Sequence, residues 1–257
     1  NLMQNQNRKT IVSLLVVQIA ITLLYSFALI EVLLFSYNQE GWIGLQSNLL
    51  DYLPHLVVLM CSLGPQAALI FKHKRHSQDG EIMPMLFTFS AMQASLIIVD
   101  AVEAMGYIFV YPEALLVIQR FSLLGTAALF LLSSLRYYGF SSSNIGMYTF
   151  LFLAVSLLIS AMVPFSSYHG RMSTMTPGYE MYVQLVVIVL YAVAIITFIM
   201  TAVKDKTSLN VKRSIAFIMM GISIYLAYFN HIYTAATSIV LALPATVILV
   251  LNAGDSL

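Results

Sequence analysis

Eight long apolar runs constrain this chain more than any other feature of its sequence. They cover residues 11–36, 50–71, 82–108, 113–135, 145–165, 180–203, 211–230 and 232–252. A helix rises about 1.5 Å per residue, so about 20 apolar residues cross a hydrocarbon core roughly 30 Å thick. Only 9% of the residues are charged, whereas soluble domains carry about 25%. The sequence predicts an all-α polytopic membrane protein, a bundle of about eight transmembrane helices, with 1–257 as a single transmembrane helical domain.

The boundary between the last two runs is the weakest of the eight. The apolar stretch from Val211 to Asn252 is too long for one crossing, and residues 228–231 form its one turn-forming segment. Two alternatives follow from this pattern. The stretch is either two spans joined by a turn or a single long bent helix.

Lysine and arginine residues fall at alternate ends of the predicted spans. Basic residues precede the first run, follow the second within 72–75, end the fourth at Arg136, and separate the sixth from the seventh within 204–213. The loops at the opposite ends are 38–48, 107–112 and 166–179, and Arg171 is their single basic residue. Because basic residues favour cytoplasmic loops, both termini are predicted to be cytoplasmic. The segment 166–179 is predicted to be a loop on the outer side.

Ionisable residues inside the predicted spans crowd toward the outer side. At about 1.5 Å per residue they lie roughly 24 to 31 Å from the cytoplasmic ends of their helices, and below them only amides and hydroxyls interrupt the apolar runs. Buried charges in a bilayer are costly and mark functional candidates. We expect an outward-facing polar vestibule above an apolar floor. Its candidate ligand-binding residues are Asp100, Glu103, Arg120, His55, His231, Glu31 and Asp51.

Asp100 and Arg120 lie at matched depth on consecutive antiparallel helices, so an ion pair between them is expected. Two interpretations of this pair are open: it pins two helices together, or it lines a ligand site. His55 and His231 would need a carboxylate such as Asp51 close by to form a metal site, and no metal ligand is predicted.

Several classes of chemistry are excluded by what the sequence contains. Cys61 is the single cysteine, which excludes an internal disulfide and a cysteine-ligated metal cluster. Every lysine lies in a predicted loop or tail, so no retinal Schiff base is available in the last helix. Zincin, nucleophile-elbow and phosphate-loop motifs are missing, and the net charge is only +1. We therefore expect no enzyme activity in this region, no cofactor and no nucleic-acid partner.

Short features of the C-terminal third resemble a known class of membrane region. They are Thr176–Tyr179 leading into Tyr182 and Tyr191, the basic Val211–Arg213, the turn after Tyr228, the span ending Val250–Asn252, and Asp255–Leu257. The last three residues look like the opening of the Asp-x-Leu-Thr-Gly-Leu run of diguanylate cyclase domains. The whole resembles the N-terminal multi-span sensor regions of bacterial signalling proteins, both seven-transmembrane histidine kinases and eight-span diguanylate cyclases. Those proteins usually carry a polar signalling helix after the last span, whereas here only Ala253 and Gly254 intervene.

The resemblance implies a membrane-embedded sensor or receptor-like input domain in the bacterial cytoplasmic membrane. Its partners would be the lipid bilayer, a cytoplasmic signalling output domain and an unknown small-molecule, peptide or lipid ligand. Two other classes fit the same pattern of spans. These are a small secondary transporter or permease and a structural subunit of a membrane complex.

Overall fold

The computed structural model describes residues 2–72, 79–108, 112–139, 145–162, 165–169, 172–175, 179–204, 206–229 and 231–253. Most of these residues lie in helices, which confirms the predicted helical class. The helices are α1 (Leu2–Lys72), α2 (Asp79–Ala91), a 3-10 turn (Met92–Ala94), α3 (Ile97–Ala104), α4 (Pro112–Tyr138), α5 (Ile145–Met162), α6 (Tyr179–Lys204), α7 (Ser208–Ala227) and α8 (Ile232–Asn252). Within this part of the chain, 6 helices are long and apolar enough to cross a membrane, or 7 if α2 and α3 form one bent span.

Helix α1 folds back on itself at Gly41. The 71 residues of α1 would extend about 100 Å if straight, far beyond a bilayer core of roughly 30 Å. Gly41 has φ 65° and ψ −142°, a backbone conformation that residues other than glycine rarely adopt. The Tyr25 hydroxyl donates to the Tyr52 carbonyl at 2.8 Å, and the Asn48 amide donates to Ser36 Oγ. The first arm (residues 2–40) and the second arm (42–72) therefore run antiparallel.

The predicted run 82–108 is broken rather than continuous. Helices α2 and α3 meet at an angle of 40° after the 3-10 turn. At the break the backbone bonds tighten to three-residue spacing, as in Val99 N–H to the Leu96 carbonyl at 2.9 Å. Two hydrogen bonds join this span to α4. Ser122 of α4 donates to the Phe89 carbonyl of α2, and Ser95 at the break donates to the Leu115 carbonyl of α4 at 3.1 Å. These bonds to α4 hold the bend in place.

Helices α7 and α8 are separate and antiparallel, so the single-long-helix alternative is wrong. His231 is the N-cap of α8, and its Nδ1 accepts from the Tyr233 backbone N–H at 3.3 Å. Farther along, Ser223 and Ser238 each donate to the other's backbone carbonyl at 2.8 Å. At the far end, the Arg213 guanidinium donates to the Asn252 carbonyl. These bonds align the two helices along their whole length.

The segment predicted as an outer loop contains a short hairpin. Strand β1 (Phe165–His169) pairs antiparallel with β2 (Met172–Met175), with an irregularity in register between Phe165 and Ser167. The loop prediction for 166–179 is thus wrong for these strands. Pairing satisfies backbone N–H and C=O groups that an irregular loop would leave to solvent.

The larger apolar core joins the second arm of α1 to α2, α4, α6, α7 and α8, and a smaller one lies between the two arms and the break. Helix α4 is central, with 67% of its most apolar window buried, against 17% for α5. In the larger core the Phe130 ring lies 5.1 Å from Tyr191 and 5.4 Å from Phe198, and Gly221 of α7 faces it. We call the bundle end that holds Gly41 the Gly41 end and the opposite end the Lys72 end.

Candidate functional site

A polar junction near the Gly41 end joins three segments of the chain. The Tyr52 hydroxyl, on the second arm, donates to Asp100 Oδ2 on α3, and both side chains are half-buried. The first arm supports the same residue, because the Tyr25 hydroxyl donates to the Tyr52 carbonyl. We call Tyr25, Tyr52 and Asp100 the polar junction. It connects both arms of α1 to the broken span.

The break in the helix also determines the electrostatics around Asp100. Because α3 begins anew at Ile97, Asp100 lies in its first turn. At this break the N–H groups of Ile98 and Val99 are bonded to the Ser95 and Leu96 carbonyls at 3.2 and 2.9 Å, and the helix dipole favours a negative charge in the first turn. An uninterrupted helix over 82–108 would have placed Asp100 in the helix interior, without this stabilisation.

Four of the other residues predicted for the vestibule lie on α1, α3 and α4. Arg120 of α4 is buried, with 2% exposure, and Glu103 is exposed on α3. Glu31 and Asp51 are half-buried, and each lies ten residues from Gly41 on its own arm, which puts them at about the same level. The Asp100–Arg120 ion pair stays a prediction.

The two histidines occupy different surroundings. His55 is half-buried on the second arm, three residues after Tyr52. His231 is exposed at the start of α8, where it caps the helix and its ring stacks on Tyr233 with 5.3 Å between centroids. This capping contact gives His231 a structural role.

A buried amide cluster, not anticipated as a unit from the sequence, lies deeper in the bundle. The Gln18 amide donates to Ser62 Oγ, and the Gln66 amide donates both to Gln18 Oε1 and, at 3.2 Å, to the Pro84 carbonyl. All three side chains have 0% exposure. Gln18 lies 23 residues before Gly41 and Gln66 lies 25 residues after it, so their similar spacing from a glycine is the signal that would have paired them. The same Pro84 carbonyl also accepts from the Thr88 hydroxyl at 2.9 Å.

Gln93 lies in the 3-10 turn of the broken span. Its side chain is 1% exposed, and its Nε2 has no hydrogen-bond partner within the described part of the chain. A buried unsatisfied donor costs about 1 to 3 kcal/mol, so such a group marks a place where a polar partner would bind favourably.

No group of three or more His, Cys, Asp or Glu side chains among the described residues is arranged to hold a metal ion. Comparison of the chain with protein-family models, curated proteins and solved structures finds no match.

Proposed function

We propose that this chain is a membrane-embedded sensor region that crosses the bilayer eight times, with both termini on the cytoplasmic side. Support for eight crossings comes from the reversal of α1 at Gly41 and from the turn between α7 and α8. Support for the orientation comes from the basic residues at the Lys72 end, such as Lys204 and Lys212. In this arrangement the polar junction lies in the outer half of the membrane.

The observation that carries the proposal is the hydrogen bond from Tyr52 to Asp100. A ligand that enters from the outer side and bonds to the Asp100 carboxylate competes with the Tyr52 hydroxyl. The second arm then changes from an arrangement that is linked to the broken span to one that is not. A ligand that binds one of these two arrangements tenfold more tightly shifts their equilibrium by about 1.4 kcal/mol.

The second arm carries this change toward the Lys72 end because it packs directly on α8. Thr246 of α8 donates to the Cys61 carbonyl at 3.1 Å. Gly64 lies close to α8, where an added Cβ would sit 3.3 Å from the side chains of Thr246 and Val250. Movement of the second arm is therefore transmitted to the last turns of α8. The Arg213 bond to Asn252 ties the same turns to α7.

A distance measurement at the Lys72 end tests this coupling. Spin labels at Val203 of α6 and Leu251 of α8, both 65% exposed, report the position of α8 in a variant whose Cys61 is replaced by serine. Tyr52→Phe removes the hydroxyl and is expected to shift or broaden the distance distribution measured by electron–electron double resonance. The matched control is Tyr233→Phe, whose ring is 76% exposed.

Identical distributions in the Tyr52→Phe protein and its parent would refute the coupling. The crossing number and orientation have their own test, the labelling of single cysteines by a membrane-impermeant maleimide in intact cells. We expect labelling at Trp42→Cys and none at Lys206→Cys, and the reverse result would overturn the orientation.

Transport is the second candidate, favoured by one observation. Helix breaks inside a membrane supply polar groups to substrate sites in many secondary transporters, and here the break holds Gln93 with a free Nε2 donor. Solute flux into proteoliposomes that depends on Gln93 or Gln66 would support a transporter. If cysteines introduced near the amide cluster do not react with thiol reagents added from the Lys72 end, that result would support a sensor.

A further inference from the structure

An apolar cavity of about 400 Å³ lies beside the break in the α2–α3 span. Three segments form its walls: the first arm at Ile21 to Tyr25, the break from Ala91 to Ile98, and α4 from Leu115 to Phe121. Its floor is well packed, since Ile97 is 1% exposed and Ala91 2%. Its rim is open to the side, since Leu24 is 52% exposed and Ile118 38%.

The two hydroxyl groups in the lining are already engaged with the protein. Tyr25 donates to the Tyr52 carbonyl at 2.8 Å, and Ser95 donates to the Leu115 carbonyl at 3.1 Å. The remaining lining residues are aliphatic, aromatic, alanine or methionine. The cavity therefore presents hydrocarbon to its occupant and offers it no hydroxyl proton. A polar solute entering here would lose its hydrogen bonds with water without replacement.

The cavity lies where α2 and α3 change direction by 40°, and it separates part of the break from the first arm and α4. An empty gap forfeits dispersion contacts for the side chains that line it. The rim residues lie within apolar spans, so the abundant molecules that reach the gap are hydrocarbon chains of the bilayer phase.

We propose that this cavity binds a linear alkyl chain that enters sideways from the bilayer. The chain belongs either to a membrane phospholipid or to a free fatty acid, and the chemistry that the cavity recognises is common to both. Seated there, the chain packs against Ile97 and Ile98, three and two residues before Asp100 in α3. It supports the bend that places Asp100 in the first turn of α3. This binding does not depend on whether the protein is a sensor.

Photocrosslinking in proteoliposomes tests the proposal. One set of vesicles contains phosphatidylcholine with a diazirine at the middle of one chain, and the other contains a free fatty acid with the same group. After irradiation, mass spectrometry locates the adducts. We expect the peptides that contain Leu115 to Phe121 and Ala91 to Ile98 to carry about tenfold more adduct than exposed apolar positions of α6 such as Ile196, which corresponds to about 1.4 kcal/mol of preference.

Ile118→Trp at the rim is expected to reduce the cavity adducts by about tenfold, which again corresponds to about 1.4 kcal/mol. The control Ile196→Trp, at a position 56% exposed on α6, should leave them unchanged. Labelling by only one of the two probes supports the proposal and identifies the source of the chain. Adducts spread evenly over all lipid-facing helices in the unmodified protein would overturn the proposal, because the cavity would then show no preference for the alkyl chain. Crosslinked dimers joined through this face would also overturn it, because a second protein molecule would then cover the cavity.

Discussion

Gly221→Ala provides a direct test of the core packing between α7 and α4. A Cβ atom built at Gly221 would lie 2.4 Å from Cζ of Phe130 and 2.7 Å from Cε2. Carbon atoms in contact are ordinarily about 3.5 to 4.0 Å apart, so the added methyl group overlaps the ring by more than about 1 Å. The ring has little room to move aside, because Tyr191 and Phe198 pack against it with centroids at 5.1 and 5.4 Å.

The magnitude follows from two opposing effects. Overpacking a well-filled core costs about 1 to 3 kcal/mol. Replacing glycine by alanine inside a helix contributes about 1 kcal/mol in the other direction. We therefore expect Gly221→Ala to lower the free energy of unfolding by up to about 2 kcal/mol, in spite of the better helix propensity of alanine.

Unfolding by SDS in mixed micelles, followed by circular dichroism, measures this change. Gly146→Ala is the matched control, because a Cβ at Gly146 of α5 meets no atom within 4 Å. It should leave the free energy of unfolding unchanged or raise it by up to about 1 kcal/mol, since only the helix propensity changes. In a Phe130→Leu background the ring is absent, so the same glycine replacement should then be nearly neutral or stabilising.

Equal stability of the Gly221→Ala and Gly146→Ala proteins would refute the packing described for α4 and α7. So would an undiminished penalty for Gly221→Ala in the Phe130→Leu background, since the clash would then come from another neighbour.

Three further predictions follow from buried hydrogen bonds. Gln18→Leu should destabilise the protein by about 1 to 2 kcal/mol because it leaves the Gln66 amide with one acceptor fewer. In a double-mutant cycle measured by SDS unfolding, the Gln18→Leu, Gln66→Leu protein should lose less stability than the sum of the losses in the two single variants. Arg213→Gln should accelerate hydrogen exchange in the last turn of α8, whereas unchanged exchange there would contradict the bond to the Asn252 carbonyl. Ser223→Cys with Ser238→Cys should form a disulfide under mild oxidation, since the two Oγ atoms lie 3.2 Å apart, and failure to crosslink would argue against the antiparallel α7–α8 pair.

The apolar runs were enough to predict most of the helices, because a bilayer requires every backbone polar group to be bonded within a helix or a closed barrel. The predicted run 113–135 lies within α4, and 232–252 matches α8. The bend after Ala94 could not be predicted in this way, because no proline or glycine occurs at the break. Ser95 and Ser122 stabilise it through carbonyl groups that belong to other helices, and such partners are not visible in a local pattern.

The polar sites show the same division. Depth along each predicted helix identified Asp100 as a candidate, because depth depends only on counting residues. Tyr52 was missed, since an isolated tyrosine near the end of a span usually lies at the membrane interface. The amide cluster was also missed as a unit, because pairing Gln18 with Gln66 requires knowing that the chain reverses at Gly41.

The sequence by itself determined that this chain forms apolar helices long enough to cross a membrane, because that property depends on the length and composition of each run. The tertiary structure alone decided which polar groups meet. Side chains that are far apart in the chain, such as those of Tyr52 and Asp100, become neighbours only when helices reverse, bend and pack. The free energy of those contacts depends on distances between helices, and no run of residues encodes such distances locally.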